Sequence, residues 1–116
     1  MRHRKVGKKL RRLTGPRRAL LDNLVTSVIL YEKVVTTESK AKTVKPKVER
    51  LITKGKVKSV HTKQQLGRFL HDKKAVQKIL DVLGPKYKDR KGGYCRIIKM
   101  HQRQGDGAPL AQIELV

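Results

Sequence analysis

Residues 1–18 contain nine Lys or Arg and not one Asp or Glu. A stretch this charged cannot be folded into an apolar interior, so whatever core the chain builds must come from residues further along. The segment from residue 1 to 13 has neither helical nor strand periodicity, only cations interrupted by Val6, Gly7 and Leu10. Alone in water it is expected to be disordered, and to order only against phosphates. Its candidate phosphate ligands are Arg2, Arg4, Lys5, Lys8, Lys9, Arg11 and Arg12. Arginine grips phosphate through two parallel donors while lysine acts as a mobile point charge, so the arginines should fix register. The whole chain carries a formal net charge of +21 over 116 residues. Self-repulsion on that scale calls for a polyanionic partner, and nucleic acid is the commonest one.

The remainder, 14–116, reads as a single domain, because a chain of this length supports one small core. Thr14 and Pro16 mark a helix start, with Thr14 as the capping residue. Leu20, Leu21, Leu24, Val25, Val28 and Ile29 then give a wide helical stripe ending near Tyr31. Lys33 to Thr37 is a brief strand of β-branched residues. A second helix carries Ala41, Val44, Val48, Leu51 and Ile52 on one face and should stop at a left-handed Gly55. Pro46 within it should kink it or split it in two. His61 to Leu70 reads as a short helix, and Asp72 caps the next. There Val76, Ile79, Leu80 and Leu83 keep helical spacing until Gly84-Pro85 ends the pattern. After a loop, Tyr94 to Met100 and Leu110 to Leu115 are strands, the latter alternating Ala111, Ile113 and Leu115 against Gln112 and Glu114. The expected fold is a two-layer α+β domain, ordered helix, strand, three helices, two strands, with the helices on one side of a three-stranded sheet.

Catalysis is not indicated. His3, His61, His71, His101 and Cys95 have no zinc-ligand spacing. The nine acids stand singly among cations, with no pair placed for metal-assisted or two-carboxylate hydrolysis. Gly92-Gly93 and Gly105-Asp106-Gly107 read as turns rather than phosphate cradles. Neither a membrane span nor an export signal is indicated. An arginine-rich, acid-poor start is shared with organellar transit peptides, but the first twelve residues form no amphipathic stripe. The lone Cys95 excludes an internal disulfide, fits a reducing compartment and reads as a packed strand residue. With one Phe and three Tyr there are too few aromatics for the stacking platforms of single-strand readers, which favours backbone and shape recognition. Lys73, Lys74 and Lys78 fit a solvated helix face as well as a binding one. Composition alone would also allow a nucleoid-type protein coating duplex DNA and, third, a small metal-dependent nuclease.

Resemblance separates these. The start Met1-Arg2-His3, the segment Arg17-Arg18-Ala19-Leu20-Leu21 and the block from Thr36 to Lys42 each contribute. The most specific parts are the run Asp89 to Lys99, which includes Arg90-Lys91-Gly92-Gly93-Tyr94, and the end from Gly105 to Val116. Together they resemble the bacterial-type large-subunit ribosomal protein seventeen family over nearly the whole chain, with departures at Gly15-Pro16, Asp22, Cys95 and Gln104. The resemblance implies a structural, non-catalytic component of the large ribosomal subunit without cofactor or small-molecule substrate. It also implies contact with large-subunit ribosomal RNA near the polypeptide exit side, neighbouring large-subunit ribosomal proteins, and residence in a cytoplasmic or organellar ribosome. The same α+β fold is implied. To the arm's cations it adds His3, Arg17, Arg18, Lys40, Lys42, Arg90, Lys91, Arg96 and Arg103 as RNA-binding candidates. The globular part is expected to rest on the RNA surface while the arm threads between RNA helices.

Overall fold

A computed structural model describes residues 9–116. The expectations for Arg2, His3, Arg4, Lys5 and Lys8 lie outside the described residues. The order is α1 (Thr14–Tyr31), β1 (Lys33–Thr37), α2 (Glu38–Gly55), α3 (Val60–Phe69), α4 (Lys73–Lys78), β2 (Cys95–Gln102) and β3 (Pro109–Leu115). A π-helical turn, Ile79–Leu83, and a last α turn, Gly84–Lys86, extend α4 without a break. The α+β reading and its element order therefore hold.

The sheet is antiparallel throughout, in the order β1-β3-β2, so β3 is the central strand. Ile113 on β3 stands opposite Val34 of β1 and Ile97 of β2. Because side chains alternate across a strand, Ala111, Ile113 and Leu115 are buried while Gln112 and Glu114 are only partly covered. The helical layer covers that inner face. Leu21, Val25, Val28 and Ile29 of α1, and Ala41, Val44, Val48, Leu51 and Ile52 of α2, are buried as their spacing predicted. Leu24 packs at the margin of the same cluster. Leu66 and Leu70 bring α3 onto the core, and Ala75, Val76, Ile79, Leu80 and Leu83 bring the fourth helical run.

Four local expectations are corrected. The cap position of α1 falls on Leu13, and Thr14 is the first helical residue, with no side-chain cap bond. The amide of Arg17 takes the Leu13 carbonyl at 3.0 Å instead. Second, Pro46 does not split α2, which is one helix from Glu38 to Gly55. Pro46 and Lys42 both face solvent, so the carbonyl that loses its helical donor is on the hydrated side. Third, Gly55 is the last helical residue and is followed by a right-handed Lys56; it is buried by close packing and is not a left-handed stop. A Cβ built on it would lie 2.1 Å from Cγ2 of Ile79. Fourth, Gly84-Pro85 does not end the helix. The N–H of Gly84 bonds the Ile79 carbonyl five residues back, a widened turn placed directly before the proline that has no N–H to give. Gly84 is also in close approach, since a Cβ there would sit 2.6 Å from the Gly55 carbonyl oxygen. The two glycines let the end of α2 touch the π turn.

Of the remaining caps, Asp72 agrees with expectation, while Ser59 was not singled out from the sequence. Ser59 Oγ accepts from the amide of Thr62 at 3.1 Å at the start of α3, and Asp72 Oδ1 accepts from the amide of Lys74 at 2.8 Å. Phe69, at the end of α3, is 43% exposed, and the Lys54 ammonium lies 5.5 Å from its ring centre.

Candidate nucleic-acid interface

The described end of the basic arm is a turn. Leu10 and Arg11 both take left-handed backbone, with φ of 53° each, which costs an L-residue on the order of 1–2 kcal/mol. Three contacts offset that cost. Leu10 packs against the core, the amide of Arg12 bonds the Lys9 carbonyl at 3.1 Å, and the Arg12 guanidinium donates to the Leu10 carbonyl at 2.9 Å. Residues 9–13 are thus held by the packing of Leu10 and by these two hydrogen bonds, while Leu13 is exposed. Lys9, Arg11 and Arg18 are exposed on this end of the molecule, and Arg17 reaches back to the Arg12 carbonyl at 3.4 Å. None of Lys9, Arg11, Arg12, Arg17 or Arg18 has an acidic partner among the described residues.

A second cationic region is assembled by tertiary packing. The loop from 88 to 93 is held against the C-terminal half of α2 through one acceptor, the Arg90 carbonyl. It receives the Tyr94 hydroxyl at 3.1 Å and the Lys56 ammonium, while the Arg90 amide bonds the Tyr87 carbonyl at 3.0 Å. Lys56 also lies 4.8 Å from the Tyr94 ring centre. This ammonium, with Thr53 adding a weaker hydrogen bond, draws the Tyr94 phenol below its ordinary pKa. Tyr94 is 1% exposed and stacks at a tilt on Tyr87, with ring centres 5.1 Å apart, so the loop has a rigid base. Lys91 then rims a 490 Å³ concavity together with Arg50 and Lys54 of α2. Arg50 and Lys54 were not singled out from the sequence. Their signal was available, because they fall on the solvent side of the α2 stripe, but helix-face lysines and arginines are ordinarily just solvated.

The other expected cations are differently placed. Lys40 is half-buried and Lys42 exposed at the start of α2, and Lys42 pairs with Glu38 at 2.7 Å. Arg96 faces Glu114 across the outer side of the sheet and forms an ion pair with it, which holds the Glu114 carboxyl below the usual range. Arg103 binds Asp106 within the β2–β3 turn, Nε to Oδ1 at 3.0 Å. That contact depresses the Asp106 pKa to about 2. Arg96 and Arg103 therefore already have carboxylate partners, unlike Lys9, Arg11, Arg18 and Lys91. Lys78 is tied to Glu32 at 3.1 Å and to the Leu30 carbonyl at 3.0 Å, so it locks α4 to the end of α1. Cys95 is buried in β2, and burial, with Glu49 nearby, pushes its thiol up to about 12. This keeps it protonated and inert.

No helix among the described residues is long and apolar enough to cross a membrane, and none of their His, Cys, Asp and Glu side chains group in threes to hold a metal ion. What the arrangement offers is exposed cations on rigid supports.

The sequence profile of ribosomal protein L17 matches residues 20–116. The chain belongs to the ribosomal protein L17 family. A protein of Thermomicrobium roseum named large ribosomal subunit protein bL17 is 48% identical over 116 residues, covering 100% of this chain and 99% of the relative. The bL17 of Gemmatimonas aurantiaca is 47% identical, with 98% of its length covered. That of Acidobacterium capsulatum is 49% identical, with 72% covered. An L17-family chain is a structural ribosomal protein and not an enzyme, in agreement with the lack of converging catalytic groups in the sequence. The family profile begins at residue 20, whereas the full-length relatives align through the arm as well.

Proposed function

We propose that this chain is a structural constituent of the large ribosomal subunit that binds and stabilises large-subunit ribosomal RNA near the polypeptide exit side. In this reading Arg2, His3, Arg4, Lys5, Lys8, Lys9, Arg11 and Arg12 track the RNA backbone as a clamp. Arg17, Arg18, Lys40, Lys42, Arg90 and Lys91 hold it against the globular part, and Arg96 and Arg103 contribute at the sheet end. Neighbouring large-subunit ribosomal proteins complete its surroundings, in a cytoplasmic ribosome. The observation that carries the reading is an acid-free cationic segment joined to a family whose curated relatives are named for the large subunit. The position near the exit side rests on the family resemblance.

The test is sucrose-gradient fractionation of lysate at low and high salt, with detection of this chain. Co-migration with the large subunit that survives high salt is expected. Migration with chromosomal DNA would favour the nucleoid-type alternative, in which arbitrary duplex DNA competes as well as ribosomal RNA does.

A further inference from the structure

We infer that the trough between α3 and α4 is a second binding site for RNA sugar-phosphate backbone, separate from the arm and from the α2 surface. The inference rests on the ribosomal-RNA reading above and adds a site that the sequence left undecided. The trough is solvent-open, encloses about 1090 Å³, and has a floor of Leu70, Val76 and Leu80. Its walls carry Lys58, Lys63, His71 and Lys73. The one acid on its rim among the described residues is Asp81, and Lys58 already binds it at 2.8 Å. Lys63 and Lys73 line the trough with no carboxylate of the described residues within ion-pair distance, although Lys63 joins Lys58 in holding the Asp81 carboxyl below its ordinary pKa.

The trough does not end at α4. A second concavity of 660 Å³, between α1 and the start of α4, shares His71 and Lys73 with it and adds Lys74. The acid there, Asp72, has its carboxylate turned onto the amide of Lys74. Asp22 of α1 is buried, with Oδ2 3.9 Å from His71 Nε2, beyond hydrogen-bond distance. The result is a path of two adjoining concavities that share His71 and Lys73, along which Lys63, Lys73 and Lys74 form no ion pair with a carboxylate of the described residues. A small anion would need converging donors in an enclosed pocket, which this path lacks. A chain of phosphates needs charges spaced along a groove, which it has. Lys78, the third lysine of this helix, is bound to Glu32 and Leu30 and is not part of the path.

The experiment compares three full-length proteins for binding to a large-subunit ribosomal RNA transcript across a salt series. They are the natural chain, a trough variant (Lys63→Gln with Lys73→Gln) and a control of equal charge change on the sheet side (Lys33→Gln with Lys99→Gln). All four positions are exposed, and circular dichroism checks that each variant folds. If the trough binds backbone, its variant loses about 0.7–0.9 of log–log salt slope per removed contact while the control keeps the slope of the natural chain. Equal slopes for the two variants overturn the site. RNA binding unchanged in the trough variant, together with loss of that variant from reconstituted subunits, also overturns it and assigns the trough to a protein neighbour. Failure of the natural chain to prefer this transcript over duplex DNA overturns instead the reading on which the site rests.

Discussion

At the scale of single residues the fold depends most on two glycines that the sequence presents as helix punctuation. Gly55 and Gly84 lie where α2 meets the π turn, and the space for a side chain is already filled by Ile79 and by backbone. Ile79 is fully buried and β-branched, so it has little freedom to move aside. Gly55→Ala should destabilise the domain by roughly 1–3 kcal/mol, the ordinary cost of overpacking. Gly67→Ala, in α3 where an added Cβ meets nothing within 4 Å, should instead be neutral or stabilising by up to about 1 kcal/mol. Urea unfolding of the two variants decides this, and equal midpoints would remove the close-packing explanation. Asp106 gives a pH prediction. Its carboxyl falls from an ordinary value of 3.8 to about 2 beside Arg103. A depressed carboxylate pKa means that the pairing contributes fully above pH 3.8 and is lost as pH falls through about 2. An NMR titration should find the Asp106 midpoint near the lower value, and Arg103→Gln should return it upward. A midpoint unmoved by that substitution would mean that Arg103 is not the cause. Cys95, buried and with its thiol pushed up to about 12, should resist alkylation at neutral pH until the protein is unfolded.

At the scale of elements, the periodic ones were legible and the joints were not. Helical spacing placed Val25, Val28 and Ile29 of α1 and the whole buried face of α2 correctly, and strict alternation placed Ala111, Ile113 and Leu115 of β3. Periodicity works here because each element buries one face against a single core. It failed at Gly84-Pro85 and in allowing Pro46 to split α2, where a proline's local penalty was weighed without knowing which side of the helix it would occupy or what the preceding glycine would touch. Ile113→Ala should cost roughly 2–5 kcal/mol, because the residue is fully buried at the centre of the sheet between Val34 and Ile97. Leu80→Ala should fall lower in the same range, since Leu80 is 7% exposed and lines the trough floor. Thermal unfolding that leaves Ile113→Ala unchanged would contradict the position of β3 as the middle strand.

For the whole molecule, the arrangement of charge matters more than its amount. Carboxylates are spent on cations of the sheet end and on helix junctions, as in Arg96–Glu114, Arg103–Asp106 and Lys78–Glu32. At the arm's end, at the start of α1 and on the rim where Arg50, Lys54 and Lys91 stand beside Glu49, the cations form no ion pair among the described residues. Replacing Arg2, Arg4, Lys8, Lys9, Arg11 and Arg12 by neutral residues should weaken RNA binding strongly and flatten its salt dependence by about 0.9 per lost phosphate contact on duplex scales. A salt slope equal to that of the natural chain would refute the arm as clamp. The domain's melting temperature should be nearly unaffected, apart from the small contribution of the turn at residues 9–13.

The sequence by itself determined the fold class and the faces that are buried, and its charge is the ground for proposing a polyanionic partner. These rest on local quantities: spacing of apolar residues, cap residues, and cations unaccompanied by acids. Only the tertiary structure decided which cations are free, because whether Arg96 finds Glu114 or Lys91 joins Arg50 and Lys54 depends on strand register and on a loop pinned by Tyr94 and Lys56. It also decided that Gly55 and Gly84 serve contact between elements distant in the chain, a requirement of space that no single segment records.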